Sequence, residues 1–190
     1  MKSTRFLLIA TFFLLGAAAF AQSDSHKPAD PPAPSDAQKS FDQLKALAGT
    51  WTGSATIDPP QPSWGDPHLQ VTMRVTSRGN ALVHEMRDPT MPDDPTKTDH
   101  PVTMLYLDGD HLTLVHYCDA GNRPRMVARK SVDGKTTDFD FADLSGGNEN
   151  GHMYHAAFTV IDADHHREDW TFMMPGNKPM HAHMDLQRVK

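Results

Sequence analysis

Twelve histidines, one cysteine and eleven methionines hold most of the reactive or ligating side chains of this 190-residue sequence. His181-x-His183 would place two imidazoles on one face of an extended segment, about 7 Å apart along the chain. At that spacing strand-borne histidines can share a metal ion. His116-x-Cys118 has the same spacing and sets a base beside a thiol. A catalytic thiol needs electropositive, partly exposed surroundings and a third, orienting group. Asp119 supplies the opposite charge, so Cys118 is expected to be a small buried apolar residue. His165-His166-x-Glu168 is expected at a turn, as a wet polar corner. Arg123, Arg125 and Arg129 would suit a ligand carboxylate, but Met126 and Ala128 alternate with Arg125 and Arg129, which favours a solvated stripe.

These residues acquire roles only once the facing of their segments is fixed, and period two governs nearly the whole chain after residue 49. Leu69, Val71, Met73 and Val75 alternate with Gln70, Thr72 and Arg74, the signature of a half-buried strand. In Ala81–Arg87 the phase of Leu82, His84 and Met86 is the more apolar. In 111–118 Leu112, Leu114, His116 and Cys118 share a face. His84 and His116 are therefore expected inside, where an unpartnered imidazole costs about 1 to 3 kcal/mol. Each meets a polar side chain, a water or a ligand, and Tyr106, in phase with Val102 and Met104, is a candidate partner. On the last segment Met180, Ala182, Met184 and Leu186 form the apolar phase, which turns His181 and His183 toward solvent. Met73, Met86, Met104, Met126, Met153, Met180 and Met184 fall on apolar phases, and their flexible thioethers either fill a core or adapt to an apolar ligand.

The segments expected as strands are 50–56, 69–75, 81–87, 102–107, 111–118, 124–130, 136–141, 152–161, 167–173 and 180–189. Gly79-Asn80, Asp108-Gly109, Asp133-Gly134, Asp162-Ala163-Asp164 and Pro175-Gly176-Asn177 supply turns between them. Ahead of these, Ser40 and Gln43 fit a capping box, and Phe41, Leu44 and Leu47 recur at helical spacing until Gly49. Ten strands joined mostly by short hairpins close on themselves rather than leave two long edges. The expected fold is all-β, an up-and-down antiparallel barrel of about ten strands with a short N-terminal helix.

Leu44-x-x-Leu47-x-Gly49-Thr50-Trp51-x-Gly53, ahead of that meander, resembles the entry motif of the calycin-like barrels: lipocalins, fatty-acid-binding proteins and the nitrobindin-like heme-binding group. The resemblance implies that Trp51 closes the barrel floor beside the helix. The strand count and the histidines of the last strand look most like nitrobindins, whose heme iron is held by a last-strand His. That likeness implies heme as a possible cofactor, His181 or His183 as its axial ligand, and handling of nitric oxide, peroxide or peroxynitrite. The run Leu114–Cys118 followed by Gly121–Met126 is similar to one in uncharacterised secreted bacterial proteins of this architecture.

Lys2 and Arg5, an apolar run from Phe6 to Phe20 and the small-x-small Ala19-Phe20-Ala21 form an export signal, with cleavage after Ala21. The run is shorter than the about 20 residues of a membrane span, so no stable membrane anchor is expected. Cleavage there removes two of 18 basic residues and none of 24 acidic ones, taking the formal charge from −6 to −8 with His neutral. Such a surface disfavours nucleic acid and anionic membrane as partners. Residues 22–39 carry four prolines (Pro28, Pro31, Pro32, Pro34) among small polar residues and are expected as a disordered linker. Residues 40–190 form the barrel domain, periplasmic or extracellular after export. The expected function is non-catalytic binding of a small apolar or amphipathic molecule, lined by Met73, His84, Met104, Tyr106, His116, Phe139, Phe141, Trp170 and Phe172 above Trp51. The alternatives are a heme- or metal-dependent activity through His181 and His183, and a structural or interaction module whose barrel is filled.

Overall fold

The structure is a computed structural model that describes residues 33–61, 68–129 and 131–190. The export signal and the linker up to residue 32 lie outside the described residues. The chain opens with α1 (Asp36–Lys45), followed by ten strands. These are β1 (Gly49–Asp58), β2 (His68–Thr76), β3 (Ala81–Arg87), β4 (Val102–Asp108), β5 (His111–Tyr117), β6 (Arg123–Ala128), β7 (Thr136–Ser145), β8 (His152–Asp162), β9 (His165–Met174) and β10 (Lys178–Arg188). Every strand pairs antiparallel with its sequence neighbour, and β1 pairs with β10, so the sheet is a closed barrel with no free edge.

The helix begins earlier than the Ser40 capping box suggests. Ser35 is the N-cap, its Oγ accepting from the Gln38 backbone N–H at 3.1 Å. Ser35 and Gln38 have the same three-residue spacing as Ser40 and Gln43, so two capping boxes compete, and the one with Pro34 just outside it wins. Ordered chain thus reaches back into the stretch expected as linker. Phe41 and Leu44 of α1, with Leu47 after it, are buried against the barrel end where β1 starts. There Trp51, fully buried, donates its indole N–H to the Leu47 carbonyl at 2.8 Å. Arg188 from the last strand lies over the Trp51 ring at 4.1 Å and donates to the Ala48 carbonyl at 2.8 Å. A Cβ on Gly53 would overlap the Asp185 carbonyl of β10, so the second glycine of the entry motif lets β1 close the seam.

Two sequence expectations differ from the structure. The β2–β3 connection is a four-residue turn, Ser77 to Asn80, because Thr76 pairs with Ala81. Ser77, Arg78 and Gly79 all take positive φ there, in place of a two-residue hairpin at Gly79-Asn80. In β4 the inward phase is Thr103, Leu105 and Leu107, so Met104 and Tyr106 lie on the outer face and line nothing inside. Both phases of β4 are about equally apolar. The register decides between them, setting Thr103 between His84 and His116 and Leu105 between Leu82 and Leu114.

The outer face of β6–β10 carries cross-strand ion pairs. Arg125 meets Asp143, Arg129 meets Asp140, and Arg167 meets Asp185. A lipid-facing barrel wall would be an apolar band at these positions.

Candidate functional site

The inward residues of β9 alternate from the closed end upward as His166, Glu168, Trp170 and Phe172. Glu168 is completely buried and reaches across the barrel to His84 on β3, whose Nε2–H lies 3.0 Å from Oε2 and 3.2 Å from Oε1. His166 Nε2–H donates to Oε1 and Trp170 Nε1–H to Oε2, both at 2.9 Å. Burial alone would raise the Glu168 pKa, but the charge and hydrogen bonds of His84 and His166 prevail and hold it well below the usual carboxylate range. The carboxylate therefore accepts three N–H groups and ties opposite walls of the barrel together. Rings complete this layer: His166 packs edge-on to Trp51 at 4.3 Å, and Phe158 meets both His84 and Trp170 edge-on.

Below this layer the barrel is filled by Trp51, Leu82, Leu105, Leu112, Leu114, Met126, Phe139 and Leu186, all fully or almost fully buried. Above it is a cavity of about 420 Å³ that opens between the ends of β1, β9 and β10 and the loop before β4. Met86, Met153, Met174, Met180 and Met184 line it with Ala55, Ile57, Leu69 and Ala182; Trp170 and Phe172 form an aromatic wall. Asp99, Pro101, Cys118 and Asp119 stand at the rim.

One buried polar side chain belongs to the cavity wall. His116 on β5 is 2 % exposed, its Nδ1 is 2.8 Å from Thr103 Oγ1, and its Nε2 has no protein partner. Burial, reinforced by nearby His84, pushes its pKa down to about 3, so the ring is neutral. Its plane lies 5.4 Å from Trp170, tilted by 45°.

The residues expected to line a pocket separate into three groups. His116, Trp170 and Phe172 are in the cavity wall. His84, Met73, Phe139 and Trp51 point inward but are packed in the filled part. Met104 and Tyr106 face outward, and Phe141, at a bulge of β7 against β6, packs against His152 and Tyr154 rather than the cavity. His181 and His183 lie on the outer face of β10, where His181 Nδ1 meets Thr171 Oγ1 at 3.0 Å and His183 Nδ1 meets the Asp169 carboxylate. The pair therefore does not fit a group held inside the barrel, and among the described residues no three His, Cys, Asp or Glu converge as a metal site. Burial, followed by Asp99 and Asp119, raises the Cys118 thiol, the reverse of what a nucleophile needs.

Glu168 and His166 are the site residues that sequence reasoning placed in a wet corner. Their signal was present: both share the phase of Trp170 and Phe172, two residues already expected inside.

No family profile and no curated protein matches the chain. Among solved structures, Rv2717c from M. tuberculosis has a TM-score of 0.57 at 14 % identity, covering 79 % of this chain and 97 % of that one. A protein of unknown function of the DUF3598 family from Nostoc punctiforme has a TM-score of 0.41 at 13 % identity, covering 77 % of this chain and 48 % of that one. The first likeness shows a shared barrel fold.

Proposed function

We propose that this protein is an exported, non-catalytic carrier that holds a small apolar or amphipathic molecule in the open half of a calycin-like barrel. The observation that carries this reading is the methionine-lined cavity of about 420 Å³ above a filled and hydrogen-bonded floor. Concave, mostly apolar cavities with a few placed polar groups are the usual form of small-molecule sites. Thioethers add adaptability to varied ligand shapes. The raised Cys118 thiol and the neutral His116 supply neither a nucleophile nor a cationic acid, which favours holding over turnover. The basic start and apolar run of residues 1–21 support export.

The test is native mass spectrometry of protein expressed with its own leader and purified from the exported fraction, with an absorption spectrum of the same sample. The carrier reading expects a small-molecule adduct released on unfolding and no Soret band. A heme adduct would replace it with the cofactor reading. A protein that carries nothing and takes up no apolar probe would replace it with the structural-module reading.

A further inference from the structure

We infer that the cavity selects a neutral guest bearing a carbonyl acceptor, an ester, ketone or amide, through a hydrogen bond donated by His116 Nε2–H. The inference rests on the carrier reading and adds the chemical class of what is carried.

Thr103 is completely buried between β3 and β5, and His116 Nδ1 is the one hydrogen-bond partner its hydroxyl has among the described residues. Two proton arrangements are conceivable. If His116 Nδ1 carried the hydrogen and donated to Thr103, the hydroxyl hydrogen would be stranded in the wall and Nε2 would be left as a second unmet group. If Thr103 O–H donates to Nδ1, the wall is satisfied and the imidazole hydrogen sits on Nε2. The second arrangement leaves fewer buried polar groups unpaired, and each such group costs about 1 to 3 kcal/mol. Nε2–H is then a fixed, uncharged donor in the wall of an apolar cavity, with no protein acceptor.

The surroundings narrow what it can meet. No Lys or Arg is among the cavity's lining residues, and Arg125 and Arg129 are engaged outside with Asp143 and Asp140. Asp99 and Asp119 stand at the rim, and the Glu168 carboxylate is hydrogen-bonded to the back of Trp170. A free carboxylate would enter an acidic mouth and lose its hydration without a counter-charge. An alcohol could accept from Nε2–H but would bring a hydrogen of its own into a wall without acceptors. A carbonyl oxygen takes the donor and brings no hydrogen to place.

The experiment compares methyl decanoate, decanol, decanoate and decane at neutral pH by displacement of a neutral naphthylamine probe from the full-length protein. Methyl decanoate is expected to bind about tenfold more tightly than decane or decanoate, the worth of one satisfied buried donor. In His116→Phe the ester's advantage over decane should vanish while decane still binds. In Thr103→Val the released Nδ1 lets the ring present either nitrogen, so the preference for ester over decanol should collapse. Circular dichroism and thermal unfolding establish that both variants are folded, and the Thr103 variant keeps the test decisive if the His116 variant is not. Equal binding of ester and decane to the native protein, or tighter binding of decanoate, would overturn the inference while leaving the carrier reading intact. Failure of all four guests and of the probe to bind would instead overturn the carrier reading.

Discussion

Glu168 concentrates the energetic stakes of the interior at one residue. Three N–H donors from His84, His166 and Trp170 converge on a carboxylate with no exposure, so removing its charge strands them. Glu168→Gln should destabilise the protein by about 3 kcal/mol, the scale for breaking a buried charged pair, as measured by urea unfolding at neutral pH; a loss within experimental error would contradict the network. Acid should act on the same interior in two stages. His116 is depressed from 6.5 to about 3 by burial and His84, so the unfolded chain takes up its proton first. Its contribution is complete above pH 6.5 and is lost as pH falls toward 3. Glu168 is also depressed, from 4.5, so its contribution is present above that value and is lost as pH falls below it. Unfolding free energy should therefore fall between pH 6.5 and 4.5 in the native protein and fall less steeply in His116→Phe. Parallel pH profiles for the two would mean that His116 is not held neutral by its site. The inward placement of His84 and His116 was legible because each shares a phase with leucines. The place of Glu168 was hidden by His165 and Arg167, which make both faces of early β9 polar, and its partner lies across the barrel where no local pattern reports it.

Single strands inside a barrel show their facing only as far as their two phases differ in polarity. β10 is the clear case: Met180, Ala182, Met184 and Leu186 face in, and His181 and His183 face out against Thr171 and Asp169. The double variant His181→Ala, His183→Ala should leave affinity for an apolar probe within about twofold of native, since neither residue touches the cavity wall, and exposed pairs of this kind contribute about 0 to 1 kcal/mol to stability. A tenfold loss of probe affinity would place one of them inside. β4 is the opposite case, because Thr103, Leu105 and Leu107 compete with Val102, Met104 and Tyr106 on nearly equal terms. A threonine on the inward face looks like an outward residue until its register against His84 and His116 is known. The polar inward residue is the one that fixes the imidazole, so the ambiguity in the sequence falls on the site itself.

At the scale of the whole molecule, ten strands leave more interior than these side chains fill. The helix end is occupied by Trp51, Phe41, Leu44 and Leu47 and capped by Arg188, the Glu168 layer closes the middle, and the other end stays open. Closure into a barrel followed from strand count and hairpin spacing, since every connection but a few is too short for a crossover. The division into a filled and a hollow half did not, because volume depends on how side chains from ten strands meet rather than on the pattern of any one. The most direct measurement is titration of a neutral naphthylamine probe into the native protein and into Ala182→Trp, whose indole would project into the cavity. The account predicts saturable one-to-one binding to the native barrel and none to the tryptophan variant, with the variant's unfolding free energy within about 1 kcal/mol of native because the added ring occupies existing space. Equal binding by both proteins, or no binding by either, would contradict a ligand-holding cavity at this end of the barrel.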